Sequence, residues 1–233
     1  VLSNVDINSF LFEAFLNPFK TGGFAVSNYL LVDETKWGRA LHCNIFKNFS
    51  NPLYGVTVEL DVTKFINKIR KLETSFTFAM IFVTARCANE MEAFRYRFLD
   101  GRVVLYDQIN TVFTYLDKET ELFKVVDAPL TDTLQTYVLA AQQAALAQQA
   151  YFTAPAGGNV FQFSPLPWFS YTQLSHTFSG DKENAIPLFN WGKYSERESR
   201  VMLPFSVQVH HSFVDGIHIG RFLEKLQAAL NED

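Results

Sequence analysis

Residues 207–222, VQVHHSFVDGIHIGRF, change period partway along. Val207 and Val209 alternate with Gln208 and His210, the two-residue repeat of a strand. From Ile219 onward Phe222, Leu223, Leu226 and Leu230 return at helical spacing. Asp215-Gly216 between them reads as a turn, with Asp215 suited to cap a helix starting near Ile217. On this alternation His211 closes the strand on the face of Val207 and Val209, while His210 falls on the opposite one. An imidazole held at such a rigid, partly buried edge can serve as a general base. Adjacent strand histidines point to opposite faces. His210, His211, Asp215 and His218 therefore cannot share one ion without a bulge, and no metal is expected.

The remaining pattern is mixed. Phe10, Leu11, Ala14, Phe15 and Leu16 predict a short helix ending near Asn17-Pro18, broken by Gly22-Gly23. It has no basic region ahead of it and makes a poor signal peptide. YGVTVELDV predicts a strand, followed by a helix with Phe65, Ile66, Ile69 and Leu72 on one face. Phe78–Ala93 predicts a buried second helix. FRYRFLDGRVVLYD predicts a hairpin about Asp100-Gly101. TVFTYLD and ELFKVVD are further strands, and the Ala/Gln-rich run from Leu134 to Tyr151 is a helix. A loop at 154–158, the strand FQFSPLPWFSYTQL and the final strands and helix follow. The order indicates an α+β fold, a mixed β-sheet covered by helices. Residues 1–30 read as an N-terminal extension and 31–233 as a single domain.

Composition narrows the function classes. The chain has 233 residues and a net charge of −4, without the basic footprint of a nucleic-acid binder. No apolar run approaches the ~18 residues of a membrane-spanning helix. Two cysteines, Cys43 and Cys87, are too few for a disulfide scaffold and read as free thiols of a reducing, cytoplasmic setting. The 24 Phe residues suit a ring-packed core, an apolar pocket or a subunit interface.

Several stretches resemble the chloramphenicol acetyltransferase family. The run from His210-His211 to Asp215-Gly216 is similar to its His-His-x-x-x-Asp-Gly signature. SPLPWFSYTQL at 164–174 resembles its Ser-x-Leu-Pro-Trp segment. WGKYSERESRVMLPFSVQVHH, FRYRFLDGRVVLYD and Trp37-x-Arg39-x-x-His42 resemble further motifs in the same order, over roughly residues 37 to 230. The resemblance implies the family's CoA-dependent acyltransferase sandwich. It also implies transfer of the acetyl group of acetyl-CoA to a hydroxyl of chloramphenicol.

In that reading His211 is the general base and His210 its non-catalytic neighbour. Ser164 donates to the oxyanion, and Asp215 pairs with Arg39. Singly these three would read as a turn serine, a cap aspartate and a surface arginine. Trp168, Lys193 and Tyr194 match coenzyme-channel positions. Thr114 and Phe123 match acceptor-pocket positions, with Tyr151 or Phe152 nearby. Three acceptor-side positions depart from the best-known members: Phe46 stands for a Tyr, Asn190 for a Thr and His176 for a Leu. These departures leave another hydroxylated small molecule as the alternative acceptor. The related dihydrolipoyl acyltransferases read Asp-His-Arg ahead of their loop and carry lipoyl segments. Neither is present, so a thiol acceptor is not expected. A non-catalytic protein on the same fold would need a broken site, yet His211, Ser164, Asp215 and Arg39 are intact. The resemblance also implies a homotrimer whose active sites are shared between subunits.

Overall fold

A computed structural model describes residues 28–153 and 158–232. The helix expected within residues 1–30, its Gly22-Gly23 break and most of the 154–158 loop lie outside them. The described chain begins with β1 (Tyr29–Leu31), α1 (Ala40–Lys47) and β2 (Leu53–Asp61). Three helical segments follow: α2 (Thr63–Lys71), α3 (Phe76–Asn89) and α4 (Glu92–Arg95). Next come β3 (Tyr96–Leu99), β4 (Arg102–Tyr106), β5 (Asn110–Leu116), β6 (Phe123–Ala128) and α5 (Leu134–Ala147). The chain ends through β7 (Val160–Phe163), β8 (Leu188–Trp191), β9 (Ser195–Arg197), β10 (Arg200–His210) and α6 (Gly216–Leu230).

The strands form two sheets. β1, β4 and β3 make a small antiparallel one. Its hairpin turns at Asp100 and Gly101, both at positive φ, the backbone a tight two-residue turn demands. The seven-stranded sheet runs β2-β10-β8-β7-β5-β6, with β9 attached to β10. Among the described strands only the β8-β7 and β7-β5 pairs are parallel. The mixed sheet with helices that the sequence order indicates is therefore the observed architecture.

The alternation of β10 gives this sheet two unlike faces. Leu203, Phe205, Val207 and Val209 are buried, opposite Leu60, Val58, Val56 and Tyr54 of β2. Helices cover this apolar side. Phe222 of α6 lies 5.5 Å from the ring of Phe189 on β8 and 5.0 Å from Phe94. Burying one such ring contributes about 1.5–3 kcal/mol. The even-numbered residues face the other way, and there Ser206 stands opposite both Thr57 and Asn190.

Several sequence expectations shift at their boundaries. The helix expected over 78–93 begins earlier, because the Ser75 side chain accepts from the Phe78 amide and caps it. It ends at Asn89, since Met91 has extended dihedrals, and α4 is a separate turn. The Ala/Gln helix stops at Ala147 rather than Tyr151. Gln148 is extended, and the Tyr151 carbonyl instead accepts from Val125 of β6. The strand expected over FQFSPLPWFSYTQL is confined to Val160–Phe163, because Pro165 and Pro167 interrupt the ladder. Leu72, expected on the buried face, caps α2 and is exposed.

Candidate active site

The turn from β10 into α6 is held by one arginine. Arg39, just before α1, donates through Nη1 and Nη2 to the two carboxylate oxygens of Asp215 at 2.6 and 2.7 Å. Its Nε donates to the Ser212 carbonyl at 2.7 Å and Nη2 to the His211 carbonyl at 2.9 Å. A planar guanidinium thus clamps both ends of the 211–215 loop, geometry a lysine could not reproduce. The Arg39 hydrogen bonds hold the Asp215 carboxyl below the usual carboxylate range. Ser212, fully buried, donates to the Cys43 carbonyl at 2.8 Å and ties the loop to α1. At the helix start the Asp215 amide donates to Nδ1 of His218.

His211 lies one residue beyond β10, with its amide donating to the Pro52 carbonyl. Its ring is sandwiched. Phe46 of α1 stacks on it at 3.7 Å and 9°, and Tyr54 lies tilted at 4.6 Å. Tyr54 pairs with Val209, so His211 occupies the valine face, as the alternation predicts. Nδ1 is enclosed, with Oδ1 of Asp215 3.2 Å away but outside hydrogen-bond alignment. Burial, with Asp215 nearby, pushes the Tyr54 phenol up to about 12, so it stays neutral. His210 is different in kind. It is buried, its Nδ1 accepts from the Ser212 amide, and its Nε2 meets the Lys182 carbonyl at 2.9 Å. Burial pulls it down to about 4.

Ser164 stands elsewhere. Its amide donates to the Phe189 carbonyl, and the β7-β8 register, continued by the Leu166–Gly192 bridge, brings it level with Asn190. The β5-β7 register brings Thr114 level with Ser164 on the other side. Thr57, Ser206, Asn190, Ser164 and Thr114 therefore form one transverse row on the polar face. Ser164 is level with Ser206, five residues before His211 and two strands away, which separates the two by about 20 Å. They also belong to opposite faces. Within one chain the structure does not bring Ser164 and His211 together.

The other expected residues fall into groups. Leu166 and Lys193 donate their amides to the Trp191 and Phe169 carbonyls, which lays 166–169 beside 191–193. Trp168, Lys193 and Tyr194 thus share one exposed shelf, a ring surface beside a cation. That combination fits an adenine and a phosphate. Phe123 packs edge-on against Phe152 at 5.7 Å, and the Tyr151 hydroxyl reaches Thr120, at the β5-β6 end beyond Thr114. Phe46 belongs with His211. His176 neighbours Asn190 and lines a cavity of about 440 Å³ along β2 and β10. Sequence reasoning missed Tyr54, Thr57, Tyr171 and Ser206. The alternation of YGVTVELDV was the available signal for the first two, but it acquires meaning only once β2 is registered on β10.

Among the described residues no helix is long and apolar enough to cross a membrane. The family model described as chloramphenicol acetyltransferase matches residues 27–227. A chloramphenicol acetyltransferase of Klebsiella sp. is 30% identical over 210 residues, covering 89% of this chain and 96% of the relative. One from Streptomyces acrimycini is 31% identical over 204 residues, covering 85% and 93%. A solved chloramphenicol acetyltransferase superposes with a TM-score of 0.81 at 28% identity, covering 88% of this chain and all of the other.

Proposed function

The chain belongs to the chloramphenicol acetyltransferase family and is an acyltransferase, and from that premise we propose that it transfers the acetyl group of acetyl-CoA to a hydroxyl of chloramphenicol, inactivating the antibiotic. The observation that carries the reading is the clamped His211. Arg39 and Asp215 hold its loop, Phe46 and Tyr54 hold its ring, and Nδ1 is the enclosed nitrogen. Nε2 is then the atom offered to an acceptor. It takes the hydroxyl proton as the oxygen attacks the thioester carbonyl. Ser164 donates its hydroxyl to the carbonyl oxygen as that oxygen gains charge. The carbon–sulfur bond breaks, and the proton held on His211 passes to the CoA sulfur. The products are the acetyl ester and free CoA. Trp168 and Tyr194 present rings to the adenine and Lys193 a cation to a phosphate. Thr114, Phe123, Tyr151, His176 and Asn190 surround the acceptor, and Phe46 bounds it on the base side.

The reading includes a homotrimer with the site shared between copies. Ser164 and His211 lie about 20 Å apart on opposite faces of one chain, yet Ser164 has to meet the thioester oxygen while His211 meets the hydroxyl attacking that same carbonyl. A second copy supplying the base satisfies that requirement. The reading also includes a cytoplasmic location, supported by the buried free thiols of Cys43 and Cys87, and one domain over 31–233 with 1–30 as an extension. Thiol release from acetyl-CoA tests the reaction. Native protein should release CoA only with an acceptor such as chloramphenicol present, and His211→Ala should lose at least ~10²–10⁴-fold. Activity retained by His211→Ala but lost by His210→Ala would reverse the assignment of the base.

A further inference from the structure

On the helical layer, α2, α3, α6 and the start of α5 enclose a groove of about 680 Å³. No residue assigned above to acetyl transfer lines it. Phe65, Phe82, Val83, Leu134 and Ala229 give it an apolar floor, and charged side chains of both signs border it. Leu72 lies on its wall, which is why a residue of the apolar face of α2 is exposed. An apolar floor inside a charged border is the anatomy of an interface core and its rim. Left in water, such a floor is unfavourable.

The chain itself supplies a segment that fits. Residues 1–26 precede the part of the chain that the family model matches. Within them, residues 10–16, FLFEAFL, carry a single charge, Glu13. At helical spacing Phe10, Leu11, Ala14 and Phe15 make one apolar stripe. So short a helix is marginal in water and needs a tertiary surface to lie on.

The point where the chain enters β1 puts this segment within reach. The Asn28 carbonyl accepts from the Asp107 amide. The next residue, Gln108, donates to the Leu130 carbonyl, and Asn89 pairs with both the amide and the carbonyl of Ile109. Leu130 and Asn89 are in turn within two residues of Asp132 and Glu90 on the groove's border. Residues 17–27 join the segment to Asn28, and eleven extended residues span about 36 Å. Charge agrees as well. The Arg86 guanidinium lies 5.7 Å from the centre of the Phe82 ring and has no ion-pair partner among the described residues. It offers Glu13 a counter-charge at the groove's border.

We propose that residues 10–16 dock in this groove of their own chain, with the stripe of Phe10, Leu11, Ala14 and Phe15 inward and Glu13 beside Arg86. The segment straps α2, α3 and α6 together, away from the residues of acetyl transfer.

The two thiols of the full chain report on this directly. Cys87 lies on the groove wall, whereas Cys43 is fully buried and does not line it. Methyl methanethiosulfonate is the probe, and mass spectrometry locates the label. Phe10→Asp combined with Phe15→Asp should speed labelling of Cys87 ~tenfold or more and leave Cys43 unchanged. Equal Cys87 rates in the two chains overturn the inference: fast rates mean an open groove, and slow ones mean that a small molecule or other cover occupies it. In a second measurement p-benzoylphenylalanine replaces Phe15 in the full chain, which keeps an aromatic ring on the stripe. On irradiation it should cross-link to α2, α3 or α6 of the same chain, with mixed isotope-labelled and unlabelled chains separating same-chain from between-chain products. Cross-links to another copy, or only outside the groove, overturn the inference. This measurement decides alone if the aspartate variant unfolds, which labelling of Cys43 would reveal.

Discussion

His210 and His211 are neighbours with opposite chemistry, and the strand alternation is the reason. His211 keeps an open side at the strand end. His210 points the other way, against the edge of the Phe98 ring, with both ring nitrogens engaged. Burial brings its pKa from 6.5 to about 4. Between those values the unfolded chain takes up a proton that the folded chain refuses. The unfolded state then binds more protons, so stability falls as pH drops below about 6.5. The loss attributable to His210 reaches about 2 kcal/mol at pH 5. Burial lowers His176 and His218 too, and both act in the same direction. Urea unfolding from pH 7.5 to pH 5 should show this decline, and His210→Gln should flatten it in part. An identical slope in the variant would mean that His210 is not buried neutral.

At the scale of elements, the exposed shelf of Trp168, Lys193 and Tyr194 depends on a close approach between β8 and the segment after β7. The Leu166–Gly192 bridge and the Lys193–Phe169 hydrogen bond press the two together. A Cβ at Gly192 would come within 2.7 Å of the Phe169 carbonyl oxygen and 3.0 Å of Pro204 and Tyr171 side-chain atoms. The oxygen belongs to backbone and cannot swing aside. Gly192→Ala must therefore push 166–171 away from β8, taking Trp168 from Lys193 and Tyr194. Overpacking of this kind typically costs about 1–3 kcal/mol. The variant should melt at lower temperature, and its KM for acetyl-CoA should rise several-fold while that for the acceptor moves less. A lowered melting temperature with an unchanged acetyl-CoA KM would detach the shelf from coenzyme binding.

At the scale of the whole molecule, the proposed reading divides the site into two halves that one chain keeps apart. The clamped His211 stands on the valine face at one end of β10, and the Ser164 row crosses the polar face. Leu30, Leu41 and Ile45 are exposed on β1 and α1, and an obligate interface would cover such surface. His211→Ala chains and Ser164→Ala chains should each be nearly inactive alone. If they are unfolded together in equal amounts and refolded, about one quarter of interfaces combine an intact base with an intact serine. Activity should recover toward that fraction of native. No recovery, or a monomer sedimenting with full activity, would refute the shared site.

The local chemistry of this chain was legible without coordinates. A period of two running up to the His210-His211 pair, a capping Asp215 and the Asp100-Gly101 turn depend on neighbours within a few residues; the cap and the turn appear where the pattern puts them, and the strand ends one residue early, at His210. Element ends at Asn89, Ala147 and Phe163 were less legible, because caps, a neighbouring strand and two prolines decide them against propensity. Nothing local joins Arg39 to Asp215, 176 residues away; only the family likeness suggested the pair. The polar row of Thr57, Ser206, Asn190, Ser164 and Thr114 had no sequence signature at all. Its members lie on or beside five strands, and they align only when register is set between strands distant in the chain. Register also decided that Ser164 and His211 face opposite ways, because a shift of one residue turns every side chain of a strand to the other side.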